Sequence, residues 1–328
     1  MTILADVISM VIIYAAPLLL VALGGMFSER SGVINIALDG IMIIGALCSC
    51  LTLRGFDKSG FGRENPILAM FIAILVAGLS GALYSLLLAF ASINLKADQT
   101  IGGTALNMLA PALAIVITWA VQGQGMTNIN IPSWTRITDT SLGFEMQEGF
   151  FRSVLFKYNY LTTPVSIIAL VAAYIVLYKT RFGLRLRACG EHPQAAASVG
   201  INVYRMRYAG VIISGVLGGI GGLAYTRAAG SAFGSSVAGY GFLALAVMIF
   251  GNWKPLNILG ASLFFALFKV IASYSQSIPW LPTFEGIKSS EYLYQMLPYI
   301  ATMVLLILTS KKSAAPKAEG VPYDKSAR

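Results

Sequence analysis

Few residues in this 328-residue chain are of a type that performs chemistry. It has one histidine, His192, and three cysteines, Cys48, Cys50 and Cys189. Nucleophilic catalysis needs a base placed beside the nucleophile, and a metal site needs several His, Cys, Asp or Glu ligands close together. His192 stands in a basic stretch, and no acid in a neighbouring apolar segment is spaced to assist it. The sequence therefore predicts no catalytic residue, no metal site and no cofactor.

The chain also lacks the phosphate-binding motif GxxxxGK[ST], whose backbone cradles the phosphates of ATP. It is therefore not expected to hydrolyse ATP itself. If its function requires ATP, another polypeptide must supply the energy.

The composition predicts an all-α integral membrane protein. Hydrophobic residues make up 57% of the chain and charged residues 11%, with a mean hydropathy of +0.74. A soluble domain has roughly 25% charged residues. Nine stretches are about 20 mostly apolar residues long, the length that crosses a bilayer as a helix. They are 6–27, 33–51, 67–91, 100–121, 161–178, 208–225, 231–250, 256–275 and 292–310.

Two of these nine stretches are expected to be irregular. The second begins among Gly32, Asn35, Asp39 and Gly40, which predicts a break in the helix, and the seventh is rich in glycine and is expected to be re-entrant. The regions 30–45 and 227–250 each run from an arginine through small residues into an apolar stretch. This weak similarity fits the two related halves found in many transporters, or it is accidental.

The basic residues predict how the chain is oriented. Six of them stand in the loop 179–207 against one acid, and positive charge accumulates on the cytoplasmic side of a membrane. Alternation then puts the N-terminus outside and the C-terminus inside. The chain is divided into a membrane domain at 1–310, with an external loop at 122–160, and a cytoplasmic polar tail at 311–328. The net charge of +9 reflects this topology and contact with lipid, and nucleic-acid binding is not expected.

Polar residues inside the predicted spans are candidates for a solute pathway, because they are costly in lipid. Asp39 follows Asn35 by four residues, so on a helix both would face the same way. The fourth span begins with a second group, of which Thr100, Thr104 and Asn107 would share a helix face. The candidate pathway residues are Asn35, Asp39, Gln99, Thr100, Thr104 and Asn107. The alternative is structural: Asp39 caps a half-helix, and the others form hydrogen bonds between helices.

The loop 179–207 contains a short alanine-rich stretch, 191–199, with a proline near its start and Gly190 and Gly200 on either side. These features predict a short helix on the cytoplasmic side. Such a helix either offers a contact to a partner or merely connects two spans. The residues predicted to form the contact are Gly190, Glu191, His192, Pro193, Ala195, Ala196, Val199 and Gly200.

Three stretches carry a resemblance that covers nearly the whole chain in order. They are GEHPQAAASVGINVYRMRYAGVIISGVLGGIGG at 190–222, GGMFSERSGVINIALDGIMIIGA at 24–46 and GFLALAVMIFGNWKPLNILGA at 241–261, with KAEGVPYDKSAR at the C-terminus. They resemble permease subunits of bacterial ABC importers, and within these the subfamily for nucleosides and simple sugars. The first stretch is similar to the segment of those permeases that contacts the ATPase.

The resemblance implies a set of partners and a location. The partners are a separate ABC ATPase, a second and non-identical permease chain, and an external substrate-binding lipoprotein. The location is the bacterial cytoplasmic membrane, and the solute is a nucleoside or a related neutral sugar.

Two alternatives remain open at the level of sequence. One is the same machine with ribose, galactose or a branched-chain amino acid as its solute, and the other is a carrier or channel that needs no ATPase. An ion-coupled carrier normally holds its ion with several buried carboxylates, whereas here only Asp39 stands out. A zwitterionic amino acid would want a charged partner in the pathway, and again only Asp39 is available.

Overall fold

The computed structural model describes residues 2–136, 161–230, 232–274 and 314–325, together with isolated helical positions between 296 and 307. Most of the predicted external loop and of the span at 292–310 lies outside these residues.

The described chain is almost entirely helical. Its helices are α1 (Thr2–Arg30), α2 (Leu38–Lys58), α3 (Phe61–Glu64), α4 (Pro66–Ala89), α5 (Gln99–Gln122), α6 (Thr162–Lys179), α7 (Arg181–Glu191), α8 (Pro193–Ser198), α9 (Val203–Ala229), α10 (Tyr240–Phe250) and α11 (Pro255–Tyr274). A π-helix at Phe90–Asn94 extends α4, and a 3₁₀ turn lies at Ser133–Thr135. Two short strands, β1 (Ile129–Asn130) and β2 (Ala232–Phe233), pair antiparallel.

Seven of these helices are long and apolar enough to cross a membrane, namely α1, α2, α4, α5, α6, α9 and α11. They coincide with seven of the nine predicted spans. The predicted span at 231–250 contains only α10, which has 11 residues and therefore reaches about halfway across a bilayer. The expected irregularity of this segment is thus a half-helix that follows a non-helical stretch.

Close packing of α9 against α1, α2 and α4 forms the centre of the bundle, and it depends on glycine. A Cβ atom at Gly222 would lie 2.0 Å from the carbonyl oxygen of Met42 on α2, and one at Gly219 would lie 2.1 Å from that of Ala77 on α4. Helices approach this closely only where a side chain is absent. The glycine-rich pattern in 210–222 therefore specifies packing.

The helical path is broken at 31–37, between α1 and α2, and again between α9 and α10, where residues 230 and 232–239 are not helical. Both breaks follow a long helix whose last turn carries an arginine, Arg30 or Arg227. Both are followed by a helix whose first turn contains a glycine, Gly40 or Gly241. The two regions that are weakly similar in sequence therefore also share a local structure, in which a long helix is followed by a non-helical break and then by a second helix.

One end of the bundle collects most of the basic residues that the structure describes and is called the basic end here. Arg30 donates a hydrogen bond to the Trp253 carbonyl oxygen (3.3 Å) and lies 3.7 Å from the Glu191 carboxylate. Lys96 pairs with Asp324 at 2.8 Å. The loop 179–207 and the segment 314–325 thus lie at this end, together with Arg30, Lys96 and the turn between α10 and α11. These are residues that the charge pattern assigns to one side of the membrane.

Candidate functional site

The short helix predicted in the loop 179–207 is present, with bounds that differ from the expectation. α8 begins at Pro193, and Gly190 and Glu191 belong instead to α7, an amphipathic helix that was not predicted. The chain breaks at His192 because the residue before a proline is disfavoured in helical geometry. His192 also caps α8, since its Nδ1 accepts a hydrogen bond from the Ala195 N–H at 3.2 Å. Gly200, at φ +83°, ends the turn as expected.

The eight residues predicted to contact a partner divide into an inner and an outer group. Gly190, Pro193 and Ala196 are buried against the bundle. Glu191, His192, Ala195, Val199 and Gly200 are exposed, and the Val199 side chain is 76% exposed. The outer group is therefore the face of this segment that is open to solvent, and the inner group packs α8 against the rest of the molecule.

Gly190 is where the α7–α8 unit meets α1. A Cβ atom at this position would lie 2.4 Å from the Arg30 carbonyl oxygen, so only glycine permits the contact. Beside it, the Glu191 carboxylate pairs with the Arg30 guanidinium. Movement of the α7–α8 unit would therefore act on the last turn of α1, which leads into the break at 31–37.

Three backbone groups at the ends of this break are satisfied by side chains of α5. The Gln99 Oε1 atom accepts a hydrogen bond from the Ile34 N–H at 2.7 Å. Asn107 accepts one from the Gly40 N–H (2.7 Å) and donates one to the Ile36 carbonyl oxygen (2.8 Å). Buried backbone groups without partners are costly, so α5 is what allows the chain to leave helical geometry here.

Asn35 and Asp39 do not share a helix face, because Asn35 lies before the start of α2. The Asn35 side chain donates to Ser214 Oγ on α9 at 2.8 Å. Asp39 reaches the other break, where its Oδ1 atom accepts from the Gly241 N–H at 2.9 Å. This bond caps the first turn of the half-helix α10, which is the structural alternative raised for Asp39.

The remaining pathway candidates, Thr100 and Thr104, are exposed on the outer face of α5. The Thr104 hydroxyl donates to the Thr100 carbonyl oxygen at 2.8 Å. Asn107 is turned further inward, toward the break, so the three residues do not form one uniform stripe. Two amide atoms of the candidate set have no hydrogen-bond partner within the described part of the chain: Asn35 Oδ1 and Gln99 Nε2, both buried.

The segment 314–325 is a feature that the sequence did not reveal. A polar tail was expected here, and the structure shows that Ala318 and Tyr323 are buried and that the Ala318 N–H donates to the Gly190 carbonyl oxygen at 2.9 Å. The Glu319 side chain is hydrogen-bonded to Glu29 of α1, whose carboxylate also accepts from Trp253 Nε1 at 2.5 Å. Burial raises the pKa of the Glu319 carboxyl group. Two carboxyl groups that share a hydrogen bond hold a proton between them.

No group of three His, Cys, Asp or Glu side chains in the described residues could hold a metal ion. At the basic end, the unit formed by α7 and the exposed helix α8 contacts the last turn of α1, which leads into the break at 31–37.

Comparison with known proteins identifies the kind of molecule. A family model described as branched-chain amino acid transport system / permease component matches residues 7–308. The chain belongs to this family. It is the transmembrane permease subunit of an ABC transporter, as its resemblance predicted, and not itself an enzyme. A permease of this kind works with an ATPase and with another permease chain.

Two relatives match nearly the full length of the permease. The nucleoside ABC transporter permease protein NupC of Lactococcus lactis is 42% identical over 98% of this chain and 97% of its own length. The guanosine ABC transporter permease protein NupQ of Bacillus subtilis is 42% identical over 99% of this chain and 98% of its own. A third, the nucleoside permease NupB of L. lactis, is 26% identical over 76% of this chain and 68% of its own length. No solved structure matches.

Proposed function

We propose that the permease imports nucleosides across the bacterial cytoplasmic membrane. The observation that carries this proposal is the 42% identity to NupC and to NupQ over almost the whole of each chain. A more distant relative that covers 80% of this chain is named as a putative glucose permease and is 30% identical. Cargo is therefore inferred from the more similar and more complete matches.

We infer that a separate ATPase docks on the exposed side of α8, around Ala195 and Val199, and that the basic end faces the cytoplasm. The positive charge collected there supports this orientation. A short helix seated in a groove of a partner is a compact way to pass movement between two proteins. The direct contact of the α7–α8 unit with α1 supports the view that such movement reaches the break at 31–37.

The second permease chain is proposed to be a non-identical relative, and a binding lipoprotein is proposed to deliver solute from outside. The presence in L. lactis of two nucleoside permeases that both resemble this chain supports the first of these. Within the described residues, the outer face of α5 exposes apolar side chains, among them Met108 and Val116, beside Thr100 and Thr104. This face is the proposed boundary of the pathway shared with the second permease.

Neutral partners suit the proposed solute. A nucleoside offers hydroxyl groups, a carbonyl or amino group and ring nitrogens, and amide side chains can both donate to and accept from these. Asn35 and Gln99 each have one amide atom without a partner in the described chain. They are therefore the first proposed solute contacts, followed by Thr100 and Thr104. Asp39 and Asn107 are proposed to act through the two helix breaks that they stabilise.

Uptake with competition tests the cargo. The permease is reconstituted in liposomes with its partner permease and ATPase, the binding protein is added outside, and ATP-dependent uptake of labelled guanosine is measured. We expect a hundred-fold excess of unlabelled uridine or adenosine to reduce uptake, and the same excess of glucose or leucine to leave it unchanged. Competition by glucose or leucine alone would assign a different cargo, and uptake without ATP would contradict the ABC mechanism.

A further inference from the structure

The segment 314–325, called the C-terminal strap from here on, crosses the basic end and contacts several elements. The Ala314 N–H donates to Asn252 Oδ1 between α10 and α11 at 2.7 Å. Further along, Ala318 bonds to Gly190 at the end of α7, and Asp324 pairs with Lys96 between α4 and α5. The strap therefore joins parts of the chain that are far apart in sequence.

Two buried polar groups anchor the strap. Arg207 of α9 is only 1% exposed, and its Nη1 atom donates to the Val321 carbonyl oxygen of the strap at 2.9 Å. On the other side of the strap, Glu319 meets Glu29 of α1. Burying an arginine is costly unless it finds acceptors, and the strap supplies the Val321 carbonyl oxygen as the acceptor for Arg207 Nη1.

Tyr323 packs the strap against α7, α8 and α9. It is 7% exposed and packs in one cluster with Cys189 of α7, Ala196 of α8 and Val203 of α9. Its ring also meets that of Tyr204 edge-on, with centroids 5.4 Å apart. Ala196 belongs to the inner face of α8, opposite the surface proposed for the ATPase.

The strap also touches the break at 31–37. A Cβ atom at Gly320 would lie 2.8 Å from Ile34 Cδ1, and Gly320 has φ +75°, a backbone conformation that favours glycine. A Cβ atom at Gly32 would lie 2.9 Å from Arg207 Nη2 and 3.3 Å from the Ala318 carbonyl oxygen. The strap thus lies between α8 and the break at 31–37, which leads into α2.

We propose that the C-terminal strap is a strut that passes displacement of α8 to the break at 31–37, with Tyr323 as its positioning residue. This inference rests on the proposed docking of an ATPase at α8. A six-residue helix has little stability of its own and transmits force only if its inner face is held. Direct contacts to α1 occur at Gly190 and Glu191, and the strap adds the link through Tyr323, Glu319 and Gly320.

Cys189 provides a built-in probe of the strap. It is buried in the same cluster as Tyr323, and burial raises the pKa of its thiol to about 11, so it is protonated and shielded from thiol reagents at neutral pH. Cys48 and Cys50 are replaced by alanine so that only Cys189 reports. The rate of maleimide labelling is then measured in the assembled complex, together with guanosine taken up per ATP hydrolysed.

The test compares three substitutions in this background. Tyr323→Ala removes the ring, Tyr323→Phe keeps it, and Lys325→Ala changes an exposed side chain of the same segment. We expect Tyr323→Ala to label Cys189 at least ten-fold faster and to lower uptake per ATP at least five-fold, while the ATPase still copurifies and hydrolyses ATP. Tyr323→Phe and Lys325→Ala are expected to match the parent in both measurements.

Two outcomes would overturn the strut. One is unchanged Cys189 labelling in Tyr323→Ala, and the other is faster labelling with unchanged uptake per ATP. Failure of the proposed function gives a different result, because the parent complex itself would then take up no guanosine, whereas Cys189 labelling would still report whether the strap is docked.

Discussion

Asn107 does two jobs at once for the break between α1 and α2. Its side-chain oxygen accepts from the first turn of α2, and its nitrogen donates to the last part of the break. Asp39 does the equivalent job for α10 by accepting from Gly241. The starts of α2 and α10 are therefore each held by a side chain from a neighbouring helix, because no water is present in the membrane interior to satisfy the freed backbone.

Replacing Asn107 by alanine should lower the free energy of unfolding of the permease. The Gly40 N–H and the Ile36 carbonyl oxygen would both lose their partner, at a cost of about 1–3 kcal/mol for each buried group. The measurement is thermal unfolding in detergent. Thr104→Ala is the matched control on the same helix, because its hydroxyl bonds only within α5.

We expect a lower midpoint for Asn107→Ala and an unchanged one for Thr104→Ala. Equal midpoints for Asn107→Ala and the parent would show that the break does not depend on α5. If Thr104→Ala keeps its stability but takes up guanosine with a higher KM, the exposed face of α5 belongs to the pathway.

At this scale the sequence predicted which residues are unusual better than it predicted what they do. Polar residues in apolar spans stand out by composition, and Asn35, Asp39, Gln99 and Asn107 all lie in a helix break or bond to a residue at one. Their partners are 65 or more residues away along the chain, in the break at 31–37 and on α2, α9 and α10. Local spacing cannot supply such pairings, and it wrongly placed Asn35 and Asp39 on one helix.

Among the elements, α9 shows how packing is encoded by what is missing. Its glycines let the backbone of α9 contact the backbones of α2 and α4, most closely at Gly222 and Gly219. The sequence predicted this role correctly, since small residues spaced four apart are a local pattern. The partner helices could not be read from the pattern.

A valine at Gly219 should disrupt the bundle. The added side chain would meet the backbone of α4 at Ala77, where neither helix can yield, and overpacking of this kind costs about 1–3 kcal/mol or more. Gly260→Ala on α11 is the control, because a Cβ atom there has nothing within 4 Å. We expect Gly219→Val to lower the yield of folded protein in size-exclusion chromatography and Gly260→Ala to leave it unchanged. A monodisperse Gly219→Val protein with the parent's unfolding midpoint would contradict the packing described.

Elements with a strong apolar signal were predicted and elements with mixed composition were not. Seven of the nine predicted spans coincide with long helices, because hydropathy over about 20 residues is a local property. The amphipathic helix α7 was missed among its arginines, and the C-terminal strap was predicted only as a polar tail, without its contacts. The strap has no period and few apolar residues, and it is ordered by contacts with residues such as Glu29, Gly190 and Arg207.

At the scale of the whole molecule, one line of contacts runs from the exposed helix α8 to the interior of the bundle. It starts at Ala195 and Val199, passes through Gly190 and the strap to α1 and the break, and ends where Asp39 meets α10. Such a chain of packed elements explains how an ATPase outside the membrane could switch a pathway within it. The length and apolar surface of the bundle come from composition, whereas this line depends on long-range contacts.

The most direct test of the account is guanosine uptake by a complex in which the exposed side of α8 is blocked. Ala195→Trp adds bulk where the ATPase is proposed to dock, and Leu83→Trp places the same side chain on the exposed face of α4 as a control. We predict that Ala195→Trp keeps the parent's unfolding midpoint, binds the ATPase at least ten-fold more weakly and loses ATP-driven uptake, whereas Leu83→Trp retains it. Undiminished uptake by the Ala195→Trp complex would contradict the claim that the energy for transport enters through this helix.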